Sequence, residues 1–212
     1  MNTELFVIRH GQTLWNQQRR LQGQMDSPLT SEGLKQAENL AERLANIKFD
    51  AIYASDLGRT MLTARIVSAK LNGQQIYPDI RLRERNFGIF HGLNWEEIMK
   101  RFPEEGKLEK ATNAQYIIPE GESRQQVLER CIAFMEEIRI RHEGKKILAI
   151  SHGGIVSSIV RYVLHISLDV PRRFYLPNAA LNVFEYNGNE WFVKTLGEIS
   201  FHEGEDLSDG IQ

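Results

Sequence analysis

Cysteine is almost absent from this sequence, since Cys131 is the single one among 212 residues. One cysteine cannot form an intrachain disulfide, which excludes a fold held together by such bonds. Its place in the apolar register of the helical stretch VLERCIAFMEEI indicates a small core residue. A chain this poor in cysteine fits a reducing compartment, and we expect a cytoplasmic protein.

An excess of charge of either sign is also lacking. The chain has 26 Lys and Arg against 28 Asp and Glu, a formal net charge of -2, so no general attraction draws it to nucleic acid or to an acidic membrane surface. No uninterrupted apolar run approaches the ~18 residues that span a bilayer, and the start MNTELFVIRHG has no basic region typical of a signal peptide. We therefore expect neither nucleic acid nor membrane as a partner, and any anion site must be local.

The chain has ample apolar residues, at 42%, enough to bury one sizeable core. We expect a single domain over residues 1–212. Strand-like runs alternate with helical patterns, as in βαβ units with a mostly parallel sheet covered on both faces. The sequence thus predicts an α/β fold, a three-layer α/β/α sandwich.

Hydrophobic periodicity locates the main elements. Buried strands are predicted at 5–8, 50–55 and 146–150, with a short extended piece near Ile76. The stretches ALNVFEY and EWFVKTLG, around Asn187-Gly188-Asn189, predict a hairpin. Helices are predicted after a cap at Thr30 or Ser31, after a cap at Ser55, over 122–141, and from SHGG through Val163.

Two further segments are less regular. Residues 93–121 mix charges with prolines, and we interpret them as a lid-like excursion of helix and loop from the main sheet. The acidic end HEGEDLSDGIQ is expected to be frayed.

Two of the predicted strands end in nearly the same way, with LFVI leading into Arg-His-Gly and ILAI leading into Ser-His-Gly-Gly. Ligands of open α/β sheets bind beyond the carboxyl ends of the strands, so His10 and His152 should lie at one edge. After a third strand, Arg59 falls in the first turn of the next helix, where free N–H groups already favour an anion.

Gathered at this edge, two cations and two imidazoles suit a phosphoryl group. Guanidinium groups such as those of Arg9 and Arg59 bind phosphate oxygens bidentately, and Asn16 can add a neutral donor. Phosphoryl transfer needs mainly positioning and stabilisation of charge, which fixed Arg and His donors supply.

Six ordered motifs, RHGQTLWN, LQGQMDSPLTSEGLKQA, YASDLGRTMLTA, RLRERNFGIFHG, PEGES and SHGG, cover most of the chain. Together they resemble the histidine phosphatase superfamily, in its branch of phosphoglycerate-mutase-like phosphatases. The resemblance implies a phosphoglycerate mutase-like fold and an enzyme that acts on phosphomonoesters without a cofactor or metal.

The resemblance also implies roles for individual residues. His10 would attack the phosphorus as a neutral imidazole and become a phosphohistidine, which water then hydrolyses. The remaining residues of the implied phosphate pocket are Arg9, Asn16, Gln22, Gly23, Arg59, His152 and Gly153.

Glu84 in RLRERNFG falls where the family has its general acid. A carboxyl group beside a bound phosphate dianion holds its proton more readily, because like charges repel, and can pass it to the leaving alkoxide. On composition alone, a surface salt bridge with Arg81, Arg83 or Arg85 would be preferred. The other histidines have no metal-ligand spacing and are interpreted as structural: His91, His142, His165 and His202.

The reaction itself leaves three alternatives. A phosphatase must admit water to the phosphohistidine, whereas a mutase must exclude it and retain a bisphosphorylated intermediate. The mutases are typically longer, with added basic residues after the acid motif, so the sequence favours a phosphatase for small organic phosphates. Tyr116, Ile117 and Ile118 either line its entrance or pack the lid. A third reading is an inactive phospho-ligand binding module, and the oligomeric state stays open.

Overall fold

The central element of the computed structural model, which describes residues 2–111 and 113–199, is a six-stranded sheet. Its spatial order is β3-β2-β4-β1-β5-β6. The first four strands in the chain run parallel, and β5 is antiparallel to both β1 and β6. The strands are β1 (Thr3–Arg9), β2 (Ala51–Ala54), β3 (Ile76–Pro78), β4 (Lys146–Ser151), β5 (Leu181–Tyr186) and β6 (Trp191–Glu198).

Helices cover both faces of this sheet. In β1, Leu5 and Val7 face one core cluster while Phe6 and Ile8 face the other, because successive side chains of a strand point to opposite faces. The predicted three-layer α/β fold with a mostly parallel sheet is confirmed. The helices are α1 (Leu14–Gln17), α2 (Ser31–Leu44), α3 (Gly58–Lys70), α4 (Trp95–Arg101), α5 (Pro103–Lys110), α6 (Arg124–Arg141) and α7 (Gly153–Val163).

The predicted caps fare differently. The Thr30 hydroxyl accepts the Gly33 N–H at 2.9 Å and caps α2, as expected. The cap predicted at Ser55 is wrong, because α3 begins later, after Leu57, whose side chain makes no capping hydrogen bond. A carboxylate distant in sequence, that of Asp26, accepts the N–H groups of Gly58 and Arg59 instead.

The segment 93–121 contains α4 and α5 and shares a third apolar cluster with Leu21 and Phe90. Ile118 is fully buried in that cluster, Tyr116 packs against it, and Ile117 is 53% exposed. Packing therefore accounts for two of these three apolar residues.

The hairpin of β5 and β6 confirms the prediction for the last third of the chain, and Cys131 is buried as expected. Searched over residues 2–111 and 113–199, the helices include none with the length and apolarity to cross a membrane. His202 and the predicted frayed end lie outside the described residues.

Candidate active site

The carboxyl ends of β1 and β4 bring two histidines together. Arg9 pairs with Ser151 in the parallel register, so the residues that follow, His10 and His152, leave the sheet side by side. Their ring centroids are 5.3 Å apart, with the rings inclined by 65°. Both are buried, at 3% and 0% exposure. The two histidines therefore lie at one edge of the sheet, as expected from their positions after the ends of two parallel strands.

Hydrogen bonds fix the protonation pattern of His10. Its Nδ1 lies 2.7 Å from the carbonyl oxygen of Gly11, which can accept but not donate, so Nδ1 carries the proton. Nε2 is then left with its lone pair, and the Nε–H of Arg59 points at it from 3.2 Å. A neutral imidazole thus presents an unprotonated nitrogen beside a guanidinium.

Arg59 is 3% exposed, and several acceptors hold its guanidinium in place. Its Nη1 donates to the Met25 carbonyl at 2.6 Å and to the Asp26 carboxylate at 2.9 Å, and its Nη2 donates to the Gly23 carbonyl at 2.7 Å. The same carboxylate caps α3. Asp26 therefore fixes both the helix start and the cation, although the sequence assigned it no role.

The partner of His152 is the Ser55 hydroxyl, 2.9 Å from its Nε2. Nδ1 of His152 is buried and has no hydrogen-bond partner in the described part of the chain. If the hydroxyl donates to Nε2, Nδ1 carries the proton and can donate it to a ligand. Ser55, predicted as a helix cap, instead orients this ring.

Arg9 precedes His10 in the chain, and Asn16 is linked to His10 through Asn178. Arg9 Nη1 donates to the Leu176 carbonyl at 2.6 Å. The Asn16 carboxamide oxygen accepts the Thr13 N–H at 3.1 Å and an N–H of Asn178 at 3.4 Å. Asn178 also donates to the His10 carbonyl at 2.9 Å, so it holds the backbone of His10. No sequence motif had indicated Asn178.

Glu84 is held at the start of α7. Its Oε2 accepts the Gly154 N–H at 3.0 Å and its Oε1 accepts the Arg85 N–H at 2.8 Å. The Glu84 carbonyl accepts Arg130 Nη2 at 3.1 Å and the Gln24 amide at 3.3 Å. The second glycine of SHGG is thus a contact of this carboxylate.

The arginines around Glu84 pair elsewhere. Arg81 binds Asp79 and Glu137, and Arg83 binds Asp56. The salt bridge that composition favoured for Glu84 is therefore absent among the described residues.

Arg85 belongs to a buried charge network with the segment 93–121. Both of its Nη atoms bind the Glu109 carboxylate of α5, at 2.8 and 3.0 Å, and Arg124 of α6 binds the same carboxylate at 2.7 Å. Arg85 and Glu109 are 5% and 7% exposed. Through Arg85, the loop that carries Glu84 is tied to residues 93–121.

Three further residues suggested by the sequence lie around this cluster. Gln22 is buried, with its carboxamide oxygen lacking a partner in the described residues. Gly23 adopts a positive φ of 52°, which suits glycine, and its carbonyl binds Arg59. Gly153 lies beside Arg9, and a Cβ on it would make an ordinary contact with Arg9 Nε at 3.4 Å.

Burial dominates the electrostatics of the pair. It lowers the pKa values of His10 and His152 well below the usual 6.5, and the positive charge of Arg59 lowers both further. Both rings are therefore neutral at physiological pH, while the arginines supply positive charge. Such a site combines a nucleophilic nitrogen with fixed donors for an anion.

A metal site does not emerge from the side chains described here, because within 2–111 and 113–199 no three His, Cys, Asp or Glu residues group so that they could hold an ion.

Comparison with known proteins agrees with this geometry. Residues 5–199 match the family described as the histidine phosphatase superfamily (branch 1). Probable phosphoglycerate mutase GpmB of Escherichia coli is 36% identical over 204 residues, covering 93% of this chain and 94% of that protein.

Solved structures show the same likeness. Bacillus stearothermophilus YhfR superposes with a TM-score of 0.87 at 32% identity, covering 94% of this chain and 98% of that one. Mycobacterial glucosyl-3-phosphoglycerate phosphatase Rv2419c, in complex with VO3, superposes with a TM-score of 0.80 at 27% identity, covering 92% and 99%.

Proposed function

Because this chain belongs to the histidine phosphatase superfamily, we propose that it is a metal-independent phosphomonoester hydrolase that acts in the cytoplasm on small organic phosphates through a phosphohistidine. The observation that carries this proposal is the lone pair on His10 Nε2, placed among buried guanidinium groups. A neutral nucleophile within a cationic pocket is what attack on a phosphate dianion requires.

In the first step, His10 Nε2 forms a bond to phosphorus while the ester P–O bond breaks. The leaving alkoxide takes a proton from the Glu84 carboxyl, which becomes a carboxylate. The Nδ1–H bond to the Gly11 carbonyl stabilises the positive charge that develops on the ring.

In the second step, a water oxygen attacks phosphorus and the N–P bond breaks. Glu84 takes the proton from that water, which returns the carboxyl to its acid form, and inorganic phosphate leaves. His10 is again neutral, so protons and charges balance over the cycle.

The other residues bind the phosphate. Arg9, Arg59 and Asn16 donate to its nonbridging oxygens, together with Nδ1 of His152, which carries the ring proton when the Ser55 hydroxyl donates to Nε2. Gln22, Gly23 and Gly153 shape the pocket around them.

The mutase is the second candidate, since the E. coli relative bears that name. A mutase must hold a second anionic group of its substrate near the phosphohistidine. Of the two arginines that flank Glu84, Arg85 is instead bound bidentately by Glu109 and buried. The other, Arg83, is paired with Asp56. These contacts favour the phosphatase, because they withdraw that positive charge from a ligand.

The test is release of inorganic phosphate from p-nitrophenyl phosphate and small phosphomonoesters, including 3-phosphoglycerate, with a chelator and without bisphosphoglycerate. We expect chelator-resistant release. If no substrate released phosphate, the phosphatase proposal would be wrong. Isomerisation of 3-phosphoglycerate on adding 2,3-bisphosphoglycerate would then identify a mutase. Failure of both would leave an inactive binding module.

The pH dependence should reflect the lowered pKa of His10. This ring needs to be neutral, and burial with Arg59 favours the neutral form, so nucleophile protonation should begin only well below pH 6.5. We expect kcat/KM, corrected for the second ionisation of the substrate phosphate near pH ~6, to hold as pH falls through 6.5. A corrected acid limb centred at 6.5 or above would contradict the neutral buried nucleophile.

Gly154 offers a test of how Glu84 is placed. A Cβ there would lie 2.2 Å from Glu84 Oε1, so Gly154→Ala should displace the carboxyl group. We expect kcat for alkyl phosphates to fall by ~10²-fold, the effect of misplacing a catalytic group by about 1 Å, with inhibition by phosphate little changed. Ser157→Ala, on the same helix, is the control, and a Gly154→Ala variant as active as this control would refute the contact.

A further inference from the structure

His91 joins two loops through one ring nitrogen. Its Nε2 lies 3.1 Å from the backbone nitrogen of Phe87 and 3.4 Å from that of Gln24, and both are N–H donors. A nitrogen approached by two donors must carry its lone pair, so the proton of the neutral ring is on Nδ1. From the sequence, His91 was interpreted only as a structural residue.

The first of these loops, residues 22–24, reaches the phosphate pocket. The His91 ring packs so closely on Gly23 that a Cβ there would lie 2.3 Å from Nε2. The carbonyl of the same glycine accepts Arg59 Nη2 at 2.7 Å. A shift of this loop would therefore move an acceptor that orients the guanidinium.

The second loop, residues 84–87, carries the proton donor. At the end of this loop, the backbone N–H of Phe87 donates to His91 Nε2. The side-chain amide of Gln24, from the first loop, donates to the Glu84 carbonyl at 3.3 Å. The two loops thus meet at the imidazole and again at the Glu84 backbone.

The environment keeps His91 in the form that can accept. Burial lowers its pKa below the usual value, and the positive charge of Arg59 lowers it further. At physiological pH the ring is neutral, so both N–H contacts persist.

We propose that His91 is a positioning residue, which sets the phosphate loop 22–24 and the acid loop 84–87 in fixed relation through its Nε2. This inference rests on the proposed function, because it assigns His91 the task of aligning the bound phosphate with the proton on Glu84. Its effect passes through Arg59 and Glu84, and His91 itself touches neither substrate nor phosphorus.

The experiment compares His91→Leu with His91→Gln. Leucine fills similar space without an acceptor, whereas the glutamine Oε1 can take the place of Nε2. We expect His91→Leu to weaken phosphate binding, measured by calorimetry, about 10-fold. Its kcat should fall about 100-fold for an alkyl phosphate and clearly less for p-nitrophenyl phosphate, the range that misplaced groups cost.

His91→Gln should restore both quantities to within a few-fold of the wild type, and His165→Asn, at an exposed histidine, should match the wild type. Equal loss in the leucine and glutamine variants, or a loss independent of the leaving group, would overturn the role of the acceptor. If His91→Leu does not fold, His91→Asn replaces it, because its shorter side chain cannot reach both N–H groups.

Phosphate binding separates this inference from the proposed function. A wild type that binds phosphate yet turns over no ester would refute the hydrolase. The proposed coupling of the two loops would still be tested by phosphate binding, which should weaken in His91→Leu and recover in His91→Gln.

Discussion

Replacing His10 with alanine is expected to abolish turnover, with a loss of roughly 10⁴-fold or more. The pocket keeps its arginines in this variant, and Glu84 keeps its contacts with Gly154 and Arg85. What disappears is the nucleophile of the first step, without which no phosphohistidine forms for water to hydrolyse. The arginines and Glu84 cannot take over as the nucleophile, because a guanidinium has no available lone pair and Glu84 serves as the proton donor in the proposed mechanism.

Two measurements check this expectation. Steady-state hydrolysis of p-nitrophenyl phosphate gives the loss of rate, with His165→Asn as the matched histidine control. Rapid acid-free quenching with a ³²P-labelled ester should trap an acid-labile phosphoryl group on the wild type and none on His10→Ala. Normal turnover, or equal labelling of both proteins, would eliminate the covalent mechanism.

Glu84→Gln is expected to spare phosphate binding and slow ester cleavage. Glutamine keeps the shape and an acceptor oxygen for the Gly154 N–H but carries no acidic proton. Good leaving groups such as p-nitrophenolate depart without protonation, whereas alkoxides need the proton, so the loss should grow to ~10²–10⁴-fold with alkyl esters.

A plot of log kcat against the pKa of the leaving alcohol measures this directly. The slope should be steeper in Glu84→Gln than in the wild type, while the inhibition constant for phosphate stays the same. Glu104→Gln is the control, because Glu104 makes an exposed salt bridge on α5. An equal loss for every leaving group would argue against Glu84 as the proton donor.

The part of the site that the sequence predicted depends on strand ends. Buried strands are apolar over their whole length, and parallel strands deliver their carboxyl ends to one edge. These two local rules were enough to bring His10 beside His152 and to place Arg59 on the adjacent helix.

What the sequence could not predict depends on partners far along the chain. Ser55 is a residue type that commonly caps helices, and it precedes α3. The start of α3 is instead capped by Asp26, 32 residues from Gly58, and Ser55 binds His152. Nothing within one helical turn distinguishes these outcomes, since the choice is made by tertiary packing. The same holds for Asn178 and for His91.

Glu84 shows how a family resemblance and local composition can disagree. Three neighbouring arginines made an ordinary salt bridge the simpler expectation. In the structure these arginines bind Asp56, Asp79 and Glu109 among others, and the glutamate turns to backbone N–H groups. Only the three-dimensional pairing of charges decides which carboxylate each cation takes.

The buried contact of Glu109 with Arg85 and Arg124 limits how this enzyme can diversify. Removing one member of a buried ion pair leaves an uncompensated charge, at a cost of about 3–5 kcal/mol. A segment 93–121 without an acidic residue at this point would leave Arg85, which is 5% exposed, without its carboxylate partner next to the loop that carries Glu84. Residues 93–121, the loop that carries Glu84 and the start of α6 therefore depend on one shared carboxylate, and we expect an exchange of any one of them to be tolerated only where the matching charges are kept.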